Sequence, residues 1–135
     1  QISIQLQKIW ALITSNVIRL PKTQNVNSSS LARLQMMMQY IHSNYSESIS
    51  LLEIARAGKV SISTALNLFR NVLDTSPVNY LICYRLKKAA LLLTNTEKKI
   101  SAISTETGFN NTDYFCKTFK RIYSLTPTEY RNIKK

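Results

Sequence analysis

The stretch ISAISTETGFNNTDYFCKTFKRIYSLTPTEYR, Ile100 to Arg131, decides the fold. Ile100 and Ile103 sit three apart, Gly108 ends that short apolar run, and Tyr114, Phe115, Phe119 and Ile122 form a second run at helical spacing. The pattern predicts two short helices joined by a tight turn. Gly108 tolerates the positive φ of a chain that stops one helix and turns toward the next. Phe109 follows as the apolar residue that pins the turn to a core. Asn110 is expected to cap the second helix, with Asp113 three residues on. Thr126, Pro127 and Glu129 combine an N-cap, a proline at the first helical position and the glutamate of a capping box, so a closing helix starts at Pro127.

Around its apolar set the second helix carries Asn111, Thr112, Asp113, Lys117, Lys120 and Arg121. Short hydrogen-bonding groups near the start and cations farther along suit a helix whose first turns meet base edges while its flanks meet phosphates. Taken alone, such a face is more often an ordinary solvated one. The remainder of the chain supplies the context.

The 135 residues are enough for one or two small cores. Eighteen Lys and Arg against seven Asp and Glu leave a net charge of +11, which draws the chain toward a polyanion. With two glycines and three prolines there is little punctuation for hairpins, and an all-α fold is expected. Cys83 and Cys116 fall inside expected helices, as reduced thiols of a cytoplasmic protein would. No apolar run is long enough to span a bilayer, so no membrane partner is expected. Gln1 stands where an initiating Met would be, which suggests a piece of a longer chain.

From the start, Ile2, Leu6, Ile9, Ile13, Val17 and Leu20 recur at steps of three and four, giving an amphipathic helix over 1–21 that ends at Pro21. Its apolar stripe pairs two chains, the favoured reading, or packs on the following domain; a membrane surface is the weakest alternative, since only Lys8 and Arg19 are basic there. KTQNVNSSS, residues 22–30, reads as a linker whose last serines can cap the next helix. Leu34, Met38, Ile41 and Tyr45 mark a helix from about 30 to 44, with Met36, Met37 and Met38 read as packing residues. Ser50 and Glu53 form a capping box before a short helix, and Ser61 caps a second one carrying Ala65, Leu66, Leu68, Phe69 and Val72. A first helix, tight turn and helix therefore spans about 50–73. Ser76 and Pro77 open a longer helix to about Leu93, roughly 25 Å at about 1.5 Å per residue. Residues 94–99 lead into the deciding stretch, and the unit as a whole spans 31–135.

The two halves agree at an offset of 49 to 50 residues: Ile54 with Ile103, Val60 with Phe109, Phe69 with Phe119, Arg70 with Lys120, Ser76 with Thr126, Pro77 with Pro127 and Tyr80 with Tyr130. Paired helix-turn-helix units explain this better than a solenoid, because only two copies are present. On Ile100, Ile103, Gly108, Phe109, Tyr114, Phe115, Phe119 and Lys120, completed by Thr126, Pro127, Tyr130 and Arg131, residues 31–133 resemble the DNA-binding domain of AraC/XylS transcription regulators. The first half matches through Ile54, Ala55, Ser61, Leu68, Phe69, Ser76, Pro77, Tyr80, Leu81, Arg85 and Leu86.

The resemblance implies seven helices in two helix-turn-helix subdomains (about 50–73 and 100–123) joined by a long central helix. The two recognition helices enter adjacent major-groove segments of double-stranded DNA, which repeat about every 34 Å. It places base-reading residues at Ser63, Thr64, Leu66 and Asn67 and at Asn111, Thr112, Asp113 and Lys117. Phosphate contacts fall to Ser61, Arg70, Lys120 and Arg121. It further implies a bacterial, cytoplasmic regulator, an activator with RNA polymerase as a protein partner, and residues 1–21 as the end of a sensing and dimerising domain, so that a homodimer forms through residues 2–20. No cofactor is implied. The chain departs from the family pattern at Lys59 and Ser124, where glycine is usual, and at Asn67, where an arginine is common; an amide there favours adenine over guanine.

Two rival classes are weaker. His42 is the only histidine, neither cysteine has a base near it in sequence, and no metal-ligand or phosphate-loop spacing occurs, so catalysis finds no residues to carry it. A basic module for single-stranded RNA would show aromatic stacking surfaces. Tyr80, Tyr114, Phe115, Phe119 and Tyr130 instead fall at core spacing.

Overall fold

A computed structural model describes residues 27–134. Among them are seven helices and no strand: α1 (Ser28–Asn44), α2 (Leu51–Ala57), α3 (Ile62–Leu73), α4 (Pro77–Asn95), α5 (Ile100–Glu106), α6 (Thr112–Tyr123) and α7 (Pro127–Lys134). The all-α expectation and the helix count hold. The helix expected over 1–21 lies outside the described residues. Residues 28–30, expected in the linker, are the first turn of α1. Its cap is Asn27 and not a serine, because Asn27 Oδ1 accepts the Ser30 amide at 2.8 Å.

The described chain forms two compact units, one from residues 27–44 and 49–81, the other from 45–48 and 82–134. In the first, Leu34, Met37 and Ile41 of α1, Ile54 and Ala55 of α2, and Ala65 and Phe69 of α3 are fully buried, as is Tyr80. The Phe69 and Tyr80 rings meet edge to face, centroids 5.7 Å apart. His42 Nε2 lies 2.7 Å from the Tyr80 hydroxyl, so the lone histidine is a structural partner of a buried tyrosine. Arg33 of α1 donates to the carbonyls of Gly58 and Lys59, each at 3.2 Å, and thereby holds the turn between α2 and α3.

The core of the second unit is aromatic. Phe109, Phe115 and Phe119 form a chain with centroid spacings of 5.0 and 5.9 Å, and Phe119 continues to Tyr123 at 4.5 Å and to Tyr130 at 5.4 Å. Ile103 and Ile122 are buried as well. Two arginines bind backbone oxygens that no helix satisfies. Arg85 donates to Tyr45 O at 2.7 Å and Glu47 O at 2.8 Å. Arg131 donates to Leu93 O, Thr96 O and Lys98 O at 2.9, 3.2 and 2.8 Å, closing the end of α4.

The starts of α2 and α7 follow the expected local signals. Ser50 and Glu53 exchange both capping-box bonds, at 2.8 and 3.1 Å, and Thr126 and Glu129 do the same at the head of α7. The Thr126 amide holds the Glu129 carboxyl below the usual carboxylate range.

Candidate nucleic-acid interface

The second helix of each helix-turn-helix, α3 and α6, is built the same way. Ser61 Oγ accepts the Thr64 amide at 3.1 Å, and Asn111 Oδ1 accepts the Tyr114 amide at 2.9 Å. Each helix ends at a residue in the left-handed region, Asp74 at φ 58° and Ser124 at φ 66°, whose amide returns to Arg70 O or Lys120 O. The expected cap at Asn110 is thus corrected to Asn111. The reason is the length of the second turn. Val60 N bonds to Ala55 O, and Phe109 N to Ser104 O, so the units agree at an offset of 49 up to that point. From the caps onward, Ser61 against Asn111, the offset is 50. Asn110 is the one extra residue.

The turn ahead of each helix places one residue at positive φ, Lys59 at 59° and Gly108 at 95°. Lys59 therefore occupies, with a side chain, the position a glycine fills in the second unit, and Ser124 likewise adopts φ 66°. The two departures from glycine noted in the sequence, Lys59 and Ser124, are therefore positions of backbone strain. The Arg33 bonds to the Gly58 and Lys59 carbonyls secure the first of them.

On α3, Ser63, Thr64 and Asn67 are exposed, Leu66 is half-buried, and Ile62 at the first position is exposed. On α6, Asp113 and Lys117 are exposed and Thr112 is half-buried. Of the expected phosphate-facing residues, Ser61, Arg70, Lys120 and Arg121 are all exposed. Ser61 and Asn111 are committed to their caps, and the Ser61 hydroxyl also lies 3.1 Å from Thr64 Oγ1. Lys88 is half-buried, its ammonium over the Tyr45 and Tyr84 rings at 5.8 and 5.4 Å.

Tyr114 corrects an expectation. Read from spacing as a core residue, it is 49% exposed, in the first turn of α6. Its ring is tilted against Phe109, centroids 6.2 Å apart, while the Arg85 guanidinium covers Phe109 at 6.0 Å. Burial lowers the Arg85 pKa from its ordinary value, with the Tyr114 phenol acting in the opposite sense.

The two thiols are free. Burial pushes Cys83 up to about 11, against a smaller opposing pull from Arg121. Cys116 is raised by burial and then by Asp113. Neither environment generates the thiolate that nucleophilic chemistry needs. Among the described residues no helix is long and apolar enough to cross a membrane.

A family model described as a helix-turn-helix domain matches residues 54–133. A crystal structure of a transcriptional regulator from Chromobacterium violaceum, described as an AraC-type DNA-binding domain-containing protein, superposes at a TM-score of 0.74 with 30% identity, covering 80% of this chain and 96% of that one. The chain belongs to the AraC-type helix-turn-helix family. The chain is also similar to the HTH-type transcriptional regulator YdeC of Bacillus subtilis, 33% identical over 98% of this chain and 45% of the relative. Another is the HTH-type transcriptional activator RhaR of Mannheimia succiniciproducens, 28% identical over 93% of this chain and 46% of the relative. The chain spans about half the length of these curated relatives.

Proposed function

We propose that this AraC-type chain is the DNA-binding part of a bacterial transcription regulator that reads double-stranded DNA with α3 and α6 in adjacent major-groove segments. The observation that carries the reading is the pair of outward faces. Each belongs to the second helix of a helix-turn-helix, each begins with small polar groups at a side-chain cap, and each has cations farther along: Arg70 on α3, Lys117, Lys120 and Arg121 on α6. The net charge of +11 supports it through the phosphate attraction it supplies.

In this reading Ser63, Thr64, Leu66 and Asn67 of the first unit, and Asp113 and Lys117 of the second, face base edges. Arg70, Lys120 and Arg121 face phosphates. Asn111 and Ser61 act through their caps, orienting the amide ends of their helices toward the backbone. Activation, contact with RNA polymerase, pairing of two chains through residues 2–20 and a cytoplasmic location belong to the same proposal. The activator names among the relatives support activation. The chain has no role as an enzyme in this reading.

Two substitutions separate the roles. Lys117→Ala is expected to cost about 1–3 kcal/mol on the preferred duplex and little on a scrambled one, relaxing preference at one base pair. Lys120→Ala is expected to weaken both duplexes about equally and to reduce the slope of log affinity against log salt by about 1. Fluorescence anisotropy titrations across a salt series read both effects. Equal losses from the two variants on matched and scrambled DNA would contradict the assignment.

A further inference from the structure

The offset of 50 that holds from the caps onward aligns α3 with α6 residue by residue. Ser63 corresponds to Asp113, Thr64 to Tyr114, Leu66 to Cys116 and Asn67 to Lys117. Cap geometry confirms the register independently, because the amide bonded by Ser61 belongs to Thr64 and the amide bonded by Asn111 belongs to Tyr114. Tyr114 therefore occupies the place that Thr64 holds in the first unit, three residues past the cap.

The ring at that place is neither buried nor loose. About half of it is exposed, 49%, and the covered part lies against Phe109, a residue itself only 5% exposed. Helix geometry puts the residue one turn before Lys117 and Thr118, so it shares the advancing end of α6 with Asp113 and Lys117. Cations that would meet phosphates, Lys120 and Arg121, lie in the last turn of the same helix.

We propose that Tyr114 is a specificity-determining residue that reads the C5 methyl group of a thymine in the major groove through the edge of its ring. The inference rests on the DNA-binding reading above. Bases inside a duplex are paired and stacked, so a ring held at a groove wall meets their edges and not their faces. The one apolar group those edges present is the thymine methyl. Packing against Phe109 fixes the ring before DNA arrives, which removes the ordering cost of a free side chain. At this end Asn111 Oδ1 is engaged by its cap and Thr112 is half-buried, whereas the Tyr114 ring stands half-exposed.

The test uses the full chain and a duplex selected from a random pool, with each thymine replaced in turn by uracil. Wild-type protein is expected to lose about fourfold in affinity at one position, the factor for one buried methyl group. Tyr114→Phe should keep that discrimination. Tyr114→Ala should bind the thymine and uracil duplexes alike at that position while remaining sensitive to the base read by Lys117. Thermal melting of both variants reports whether the Phe109 contact has been lost, and the Phe variant retains it.

Wild-type binding that is indifferent to uracil at every position would overturn the proposal. So would a Tyr114→Phe variant that loses the discrimination, since the hydroxyl and not the ring would then be the reader. Wild-type protein that binds selected and scrambled duplexes equally would instead remove the DNA-reading assignment itself.

Discussion

Gly108→Ala is expected to destabilise the second unit by about 3 kcal/mol, the sum of backbone strain and overpacking, and to abolish specific DNA binding at ordinary temperature. Gly108 has φ 95°, a conformation that side chains rarely adopt. A Cβ there would lie inside van der Waals distance of the Tyr45 carbonyl oxygen and 2.7 Å from Arg85 Nε. Those atoms are bonded to each other, so neither can withdraw without breaking the bond. The carbonyl is backbone, which also means that Arg85→Ala in the same molecule should not rescue the variant. Urea unfolding followed by circular dichroism measures the loss. A change below about 1 kcal/mol would show that the turn between α5 and α6 is softer than described. Lys59 at φ 59° is the instructive counterpart: the first unit accepts a side chain at the equivalent position, and there the strain is offset by the Arg33 bonds to the Gly58 and Lys59 carbonyls, which flank the Lys59 Cα.

Arg131→Ala is expected to cost about 2–3 kcal/mol, because three carbonyl oxygens at the end of α4 lose a charged donor together. The guanidinium reaches Leu93 O through Nε and both Thr96 O and Lys98 O through Nη2. Lysine has one compact donor group in place of that fork, so Arg131→Lys should recover less than half of the loss. The ring chain of Phe119, Tyr123 and Tyr130 is untouched by either change, which predicts a lowered unfolding midpoint with native-like aromatic packing below it. Midpoints from urea titration, with near-ultraviolet circular dichroism as the packing probe, distinguish this from general loosening. Full recovery by lysine would mean that charge alone, and not the fork, holds the end of α4.

Much of the fold is written locally. Capping boxes at Ser50 with Glu53 and Thr126 with Glu129, the prolines at 77 and 127, and Gly108 each act within a few residues of themselves, and each helix they announce is present. The apolar spacing that set α4, α5 and α6 succeeds for the same reason. Failures occur where the deciding partner is distant in sequence or where two neighbours have equal credentials. Asn110 and Asn111 can both cap, and only the extra residue in the second turn settles which side chain meets the Tyr114 amide. Tyr114 and Phe115 are adjacent and both aromatic, yet a helix face admits one of them fully; Phe115 is buried and Tyr114 is left half outside. Arg33, Arg85 and Arg131 bind carbonyls 25 to 40 residues away; the family pattern includes Arg85 and Arg131 but does not name their partners, and Arg33 lies outside it. Of the residues proposed to read DNA, those on both helices come from the family pattern, whereas the cap role of Asn111 and the exposure of Tyr114 emerge from hydrogen bonding and burial.

Selection of bound duplexes from a random pool, followed by methylation-protection footprinting of the best binder, tests most directly that both units read DNA. Two protected major-groove patches about one helical turn apart, roughly 10 bp, are expected, with Lys117→Ala altering one of them only. A single patch, or protection that persists unchanged on scrambled DNA, would contradict two reading helices in one chain.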